Sequence, residues 1–205
     1  MNYPTYEIEE QLVDAGYKYI IGVDEVGRGA GASGVVACAV YMPADKVPHF
    51  LTRVKDSKKL SEKKRESLAE EIRFLCEIGI GQLDNRVIDD INILQATIKA
   101  MYLAVNKIKT VDYVLADGNM QLDVLGVPYS SIVGGDNKSI SIAAASIVAK
   151  VYRDEIMRTL HWLYPEYGWL KNKAYLTKEH CNAIKLYGPC EYHRMTFLNK
   201  ILDNS

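Results

Sequence analysis

Apolar and polar positions along this chain switch between two periods, and the switches predict an α/β fold. Residues 1–17 read as a loosely helical lead-in. The apolar run Tyr19-Ile20-Ile21-Gly22-Val23 predicts a buried strand over 18–24. A glycine-rich turn leads to a second predicted strand over 35–41, stopped by Met42-Pro43. Together they predict a hairpin with a connection longer than a two-residue turn. A helix is predicted to start near Ser61, an N-cap with Glu62 in its first turn, with Leu68, Ile72 and Leu75 on one face. Residues 78–81 read as a short strand. From Ile88 onward, Ile91, Leu94, Ile98, Met101, Val105 and Ile108 step by three and four, which predicts one amphipathic helix. Strands over 113–116 and 129–133 run into Asp117-Gly118-Asn119 and Gly134-Gly135-Asp136-Asn137. A long helix over 140–161 follows, and its small Ala143-Ala144-Ala145 start suits close packing on a sheet. Pro165 ends it. Thr177 caps a last predicted helix that stops at Gly188-Pro189. Strands interleaved with helices give an α/β domain with a mixed sheet.

Composition narrows this picture without changing it. With 205 residues, 48% of them apolar and 25% charged, the chain reads as one soluble globular domain over 1–205. A net charge of -1 means that no global basic field advertises nucleic acid, so local patches carry any such signal. Cys38, Cys76, Cys181 and Cys190 form no Cys-x-x-Cys pair, which argues for free thiols rather than zinc or disulfides. Residues 1–16 lack signal-peptide character, and no apolar run approaches the roughly 20 residues of a membrane span. The expectation is a cytoplasmic protein with no membrane contact.

The chemistry gathers at strand ends. Three apolar strands run into acids: Asp24-Glu25, Asp117 and Asp136. Ends of parallel strands lie side by side, so these acids converge although they are distant in sequence. Carboxylates cannot crowd together ionised without compensating cations. Mg²⁺ or Mn²⁺ suits such an all-oxygen set, and two ions at roughly 3.5 to 4 Å are the plan of a two-metal phosphodiester hydrolase. Asp-Gly-Asn and Gly-Asp-Asn are also good turn sequences, and that alternative stays open for Asp117 and Asp136. Adjacent strand residues face opposite ways, so Asp24 and Glu25 share a site only where the strand ends or kinks.

The glycines Gly29-Ala30-Gly31-Ala32-Ser33-Gly34 match G-x-G-x-x-G, the dinucleotide fingerprint. That motif requires a following helix, and a strand follows here. The glycines instead suit close backbone approach to a phosphate or sugar, with Arg28 adding charge.

The stretch Gly22-Val23-Asp24-Glu25-Val26-Gly27-Arg28-Gly29 resembles the signature of the ribonuclease HII family. The resemblance continues through Asp56-Ser57-Lys58-Lys59-Leu60, Ile91 to Thr97, Asp117-Gly118-Asn119, Gly135-Asp136, Ile142 to Lys150 and Arg153-Asp154. It ends with Tyr175, Lys178-Glu179-His180, His193-Arg194 and Phe197. It implies a ribonuclease H-like fold, a mixed five-stranded sheet flanked by helices, with residues about 165–205 as a helical C-terminal substrate-binding extension. It implies an endoribonuclease that hydrolyses the RNA strand of RNA/DNA hybrids and cuts 5′ to ribonucleotides embedded in duplex DNA. Products carry 3′-hydroxyl and 5′-phosphate ends. The family's metal-binding acids fall on Asp24, Glu25, Asp117 and Asp136. Asp154 competes for the fourth place, and the expectation for it is a structural salt bridge with Arg153. The turn Gly27, Arg28 and Gly29 carries over as a reader of the 2′-hydroxyl, the group that separates RNA from DNA. Tyr175 carries over as the residue at the junction sugar. The related ribonuclease HIII lacks the arginine of this turn and differs at its fourth acid.

Two positions depart from the family pattern. Gly34 stands where proline is usual, which removes a fixed φ from the entry to the second strand. Ala174 stands where glycine is common, a misfit if that backbone needs a positive φ. Lys58, Lys59 and Arg194 complete the expected substrate contacts. The partners expected are RNA/DNA hybrid and ribonucleotide-containing duplex, bound by a monomer. The rival reading is a hybrid-binding module with weak or altered turnover, supported by the loop at 30–34.

Overall fold

The computed structural model describes residues 3–54 and 61–203. The order begins with α1 (Glu7–Asp14), β1 (Ile20–Val26), β2 (Val35–Tyr41), α2 (Val47–Val54) and α3 (Glu62–Leu75). β3 (Glu77–Leu83), α4 (Asn85–Ile91), α5 (Ile93–Val105), β4 (Tyr113–Asp117) and β5 (Tyr129–Ile132) follow. The chain closes with α6 (Ile140–Leu163), α7 (Trp169–Asn172), α8 (Lys178–Tyr187) and α9 (Met195–Leu202). The five strands form one mixed sheet in the order β3-β2-β1-β4-β5. β1 pairs antiparallel with β2 and parallel with β4, and β5 extends the parallel half.

Each face of the sheet is packed by one main helix, and glycines set how closely. On one face Ile21, Val23, Ala37 and Ala39 meet Ala96, Ala100 and Ala104 of α5. A Cβ on Gly79 would stand 2.0 Å from the Ala104 carbonyl oxygen, and one on Gly81 would stand 1.9 Å from that of Ala100. On the other face Cys38 and Val40 meet Ala144, Ala145 and Val148 of α6. There a Cβ on Gly22 would stand 2.1 Å from the backbone of Ser141. Backbone against backbone leaves no slack for sliding, so helix registers are fixed where the catalytic candidates sit.

Three expectations are corrected. The helix predicted from Ile88 is two helices, broken at Asn92, whose φ is +68°. The Asn92 side chain accepts from Leu94 N–H at 2.9 Å and Gln95 N–H at 3.1 Å, so it caps α5. The predicted series otherwise faces the core, with Met101, Val105 and Ile108 buried and Ile91 and Ile98 packed against them beside the alanines, and only Leu94 stands out, 43% exposed. The first strand runs on through Asp24 and Glu25 to Val26 rather than ending at them. α9 follows the helix expected to be last, and its first N–H groups are capped by Asp89 of α4 (Met195 N–H at 2.8 Å).

Candidate active site

The register brings the acids together. β1 pairs with β4 up to Val23 opposite Ala116, so Asp24 and Asp117 are next in line where the parallel ladder stops. On its other edge β1 stays paired, Asp24 with Cys38 and Glu25 with Ala37. Glu25 and Asp24 therefore leave a strand held firmly on one side and open on the other. Asp117 closes β4 opposite Ile132, and Asp136 lies in the turn just beyond β5. The Asp117 carboxylate accepts from Gly135 N–H at 2.6 Å, which ties that turn to β4.

Burial dominates the electrostatics. Asp24 is 6% exposed. Burial holds its carboxyl well above the usual carboxylate range; a Ser146 hydroxyl hydrogen bond lowers it, while Glu25 and Asp117 raise it further. Burial also raises Glu25, against the pull of Arg28, and Asp117 adds to the rise. The Arg28 guanidinium pairs with Glu25 at 3.2 Å, and the second Glu25 oxygen is buried with no hydrogen-bond partner. An all-oxygen set in which burial disfavours the charges of Asp24 and Glu25 is one a hard divalent ion could occupy. Among the described residues, no group of three His, Cys, Asp or Glu side chains is already arranged as a metal cage. The reason is visible, since each acid is turned to a local donor. Asp24 accepts from Glu25 N–H at 2.7 Å, and Asp136 accepts from the Asn137 side chain at 2.8 Å.

The Gly27-Arg28-Gly29 turn is held by the C-terminal part of the chain. Gly27 has φ +93°, and a Cβ there would stand 2.3 Å from Arg153 Nε. Gly31 N–H donates to the Ala174 carbonyl at 2.8 Å, and Ser33 N–H donates to that of Tyr192 at 2.8 Å. Tyr175 is 43% exposed, and its ring lies 3.7 Å from where a Gly29 Cβ would sit. Beneath Tyr175, Trp169 Nε1 donates to His180 Nε2 at 3.0 Å, and His180 Nδ1 meets the Tyr175 carbonyl at 3.1 Å. His193 Nδ1 accepts from Cys190 N–H at 3.0 Å, so its Nε2 carries the proton that it shares with His180 at 3.1 Å. This network requires both rings neutral. Burial lowers both, His193 to about 4 with His180 repelling it.

The remaining predicted residues divide. Arg194 does not reach a substrate surface: it is fully buried and donates to the carbonyls of Arg28 and Gly27 at 2.8 Å, Ser33 at 2.9 Å and Gly34 at 3.0 Å. Lys58 and Lys59 lie outside the described residues. Asp154 pairs with Lys150 at 3.3 Å and not with Arg153 as expected, since Arg153 turns to the Lys173 carbonyl at 3.0 Å. Gly34 answers a steric need, since a Cβ there would stand 2.2 Å from the Leu83 carbonyl oxygen. Ser146 is the contact that sequence reading passed over, because nothing within the α6 run separates it from a packing serine.

Ala174 does adopt a positive φ, +65°, next to Lys173 at +49°. Glycine there would relieve about 1–2 kcal/mol of strain. It would also give up a buried methyl, about 0.8 kcal/mol, and gain about 0.4–1 kcal/mol of unfolded-state entropy. Ala174→Gly is thus expected to change unfolding free energy by less than about 1 kcal/mol. Urea denaturation giving a larger gain would mean that alanine is tolerated for function and not by compensation.

A groove of about 550 Å³ opens beside Arg28, lined by Leu94, Gln95 and Ile98 of α5 and by Asn119 and Gln121 beyond β4. No helix among the described residues is long and apolar enough to cross a membrane.

Comparison with known proteins agrees with this geometry. The family model for ribonuclease HII matches residues 21–200. The ribonuclease HII of Caldanaerobacter subterraneus subsp. tengcongensis is 50% identical over 95% of this chain and 80% of its own length. That of Acetivibrio thermocellus is 47% identical over 95% of this chain and 75% of its own. The crystal structure of the ribonuclease H2 from Pyrococcus horikoshii superposes with a TM-score of 0.78 at 21% identity, covering 91% of this chain and 98% of that one. The chain belongs to the ribonuclease HII family and is a type 2 ribonuclease H, an endonuclease acting on RNA/DNA hybrids and on ribonucleotides embedded in DNA.

Proposed function

We propose that Asp24, Glu25, Asp117 and Asp136 hold two divalent ions, Mg²⁺ or Mn²⁺, and that the enzyme cuts 5′ to a ribonucleotide to leave 3′-hydroxyl and 5′-phosphate ends. The observation that carries this reading is the end of the parallel ladder, where Asp24 and Asp117 are in line and burial penalises the charges of Asp24 and its neighbour Glu25. When bound, the ions supply an activated water and positive charge for the leaving oxygen.

The chain's own residues do the rest. Asp24, on the paired edge of β1, is a fixed point, and a Ser146 hydrogen bond helps orient its carboxylate. Asp117 and the Asp136 turn are linked through Gly135 and move together. Gly27, Arg28 and Gly29 offer backbone groups to the 2′-hydroxyl, and Tyr175 lies against the junction sugar, supported from beneath by Trp169 and His180. The groove beside Arg28 takes the flanking duplex, its amides Gln95, Asn119 and Gln121 suited to hydrogen-bond sugar and base edges. Residues 165–205 act as the substrate-side extension of one catalytic domain, in a cytoplasmic monomer. The loop at 30–34, clamped by Arg194, gives no support to a module without turnover.

A duplex with one embedded ribonucleotide tests this. With Mg²⁺ or Mn²⁺ the wild type is expected to cut 5′ to it, and Asp24→Asn to cut slower by about 10²–10³-fold. Equal rates would remove Asp24 from the site.

A further inference from the structure

We infer that Glu9 is a positioning residue for the acidic site, acting through the first turn of α6; its functional half rests on the metal-site reading above. Helix α1, which carries Glu9, lies before residue 21, where the family match begins. Glu9 is 1% exposed. Its Oε1 accepts from Ser139 Oγ at 2.6 Å, from Ser141 N–H at 3.1 Å and from Ser141 Oγ. Its Oε2 is buried without a partner, so the side chain is held by one accepting oxygen. Ser139 is itself the N-cap of α6, accepting from Ile142 N–H at 3.2 Å. The same segment adds backbone bonds, Thr5 N–H to the Lys138 carbonyl at 3.1 Å and Ile140 N–H to the Thr5 carbonyl at 3.0 Å.

Both sides of this anchor lead to acids. Upstream, Lys138 and Ser139 N–H donate to the Gly135 carbonyl at 2.9 and 2.8 Å, closing the turn that carries Asp136. Gly135 N–H in turn holds Asp117. Downstream, Ser141 is where α6 touches β1 at Gly22. Roughly one and a half helical turns further on, Ser146 meets Asp24. Glu9 therefore grips α6 at the point that sets both the Asp136 turn and the Ser146 contact. Docking of α1 has a separate apolar basis, Ile8 and Leu12 against Ile20, Leu115 and Ile142. Removal of the carboxylate is thus expected to loosen the anchor while α1 stays in place.

The test uses Glu9→Ala and Glu9→Gln in the full chain, with hydrogen exchange over residues 135–146 and calorimetric titration of Mn²⁺. Glu9→Ala is expected to speed exchange in that segment about tenfold and to weaken Mn²⁺ binding about tenfold, as loss of a group behind a metal ligand does. Glu9→Gln, whose amide oxygen can accept the same bonds, is expected to stay within about twofold of wild type. Unchanged exchange in Glu9→Ala overturns the anchor. Faster exchange with unchanged Mn²⁺ affinity overturns the positioning role. If Asp24→Asn binds Mn²⁺ as wild type does, the metal-site reading fails by itself, and the exchange result still decides the anchor. Should Glu9→Ala not fold, Ser141→Ala, which removes one donor, is read by the same two measurements.

Discussion

Arg194→Ala is expected to cost about 4 kcal/mol of folding stability. The guanidinium is fully buried, and its fork donates to four carbonyls of one loop, those of Gly27, Arg28, Ser33 and Gly34. Truncation removes the guanidinium donor from each of those carbonyls, with that of Gly27 keeping a weaker bond from Ala30 N–H at 3.3 Å, and a buried acceptor left unpaired costs about 1–3 kcal/mol before relaxation. It also removes the stacking of Arg194 on Phe197, 5.2 Å from the ring centroid. Arg194→Lys keeps the charge but loses the planar fork, and one ammonium cannot serve four divergent carbonyls. Its expected loss is about 2 kcal/mol. Urea unfolding curves measure both, and a loss under about 1 kcal/mol for Arg194→Ala would show that the loop keeps its shape without the clamp. Because the loop carries Gly27, Arg28 and Gly29, the residues we propose for the 2′-hydroxyl, the clamp is expected to bear on selectivity as well. In a variant still folded under assay conditions, the preference for a ribonucleotide over an all-DNA site is expected to fall further than the cleavage rate itself.

The parts of this structure that were legible in the sequence are those built from local patterning. The strand over 35–41, the Ser61 and Thr177 caps and the long helix from Ile140 each follow from period, propensity and a capping residue. The placing of Asp24 and Asp117 side by side was legible because the ends of neighbouring parallel strands lie next to each other. What stayed hidden depends on partners distant in sequence. The buried series of α5 was legible apart from Leu94, but the alanines that approach the sheet most closely were not, because their contact depends on Gly79 and Gly81 of a distant strand. α9 was missed because its cap is Asp89, more than a hundred residues earlier. Arg194 looked like a phosphate contact because arginine in a basic patch usually is one. Only the fold reveals four carbonyls converging on it. Glu9 carried no signal, since an acid in a polar amphipathic helix is ordinarily a solvated one.

Asp24→Asn is expected to make the metal-free protein more stable than wild type at neutral pH, the opposite of its effect on catalysis. Asp24 is almost completely buried beside Glu25 and Asp117, and Arg28 is committed to Glu25. Ionised Asp24 is therefore a charge with too little compensation, and asparagine removes it while its amide oxygen can still accept from Glu25 N–H and its NH2 can donate to the Ser146 hydroxyl. The expected gain is on the order of 1–2 kcal/mol. The pH dependence has a definite sign. Asp24 and Glu25 have raised folded-state values, so the folded state holds their protons more tightly than the unfolded chain does. Their stabilising contribution is present below the ordinary carboxylate value and is lost as pH rises through the raised folded value. His180 and His193 act the other way, because burial lowers both values and their contribution is lost on acidification below the ordinary imidazole value, for His193 down to about 4. Subtracting the variant's curve from that of wild type cancels the histidines and isolates Asp24. The difference in unfolding free energy, variant minus wild type, is expected to shrink as pH falls and to be greatest at neutral and alkaline pH. Added Mg²⁺ or Mn²⁺ is expected to reverse the order by stabilising wild type, by about 2.7 kcal/mol at a hundredfold excess over the dissociation constant. A metal-free variant no more stable than wild type would mean that Asp24 is already compensated by the protein, and the physical reason for a cation at the end of the β1–β4 ladder would be gone.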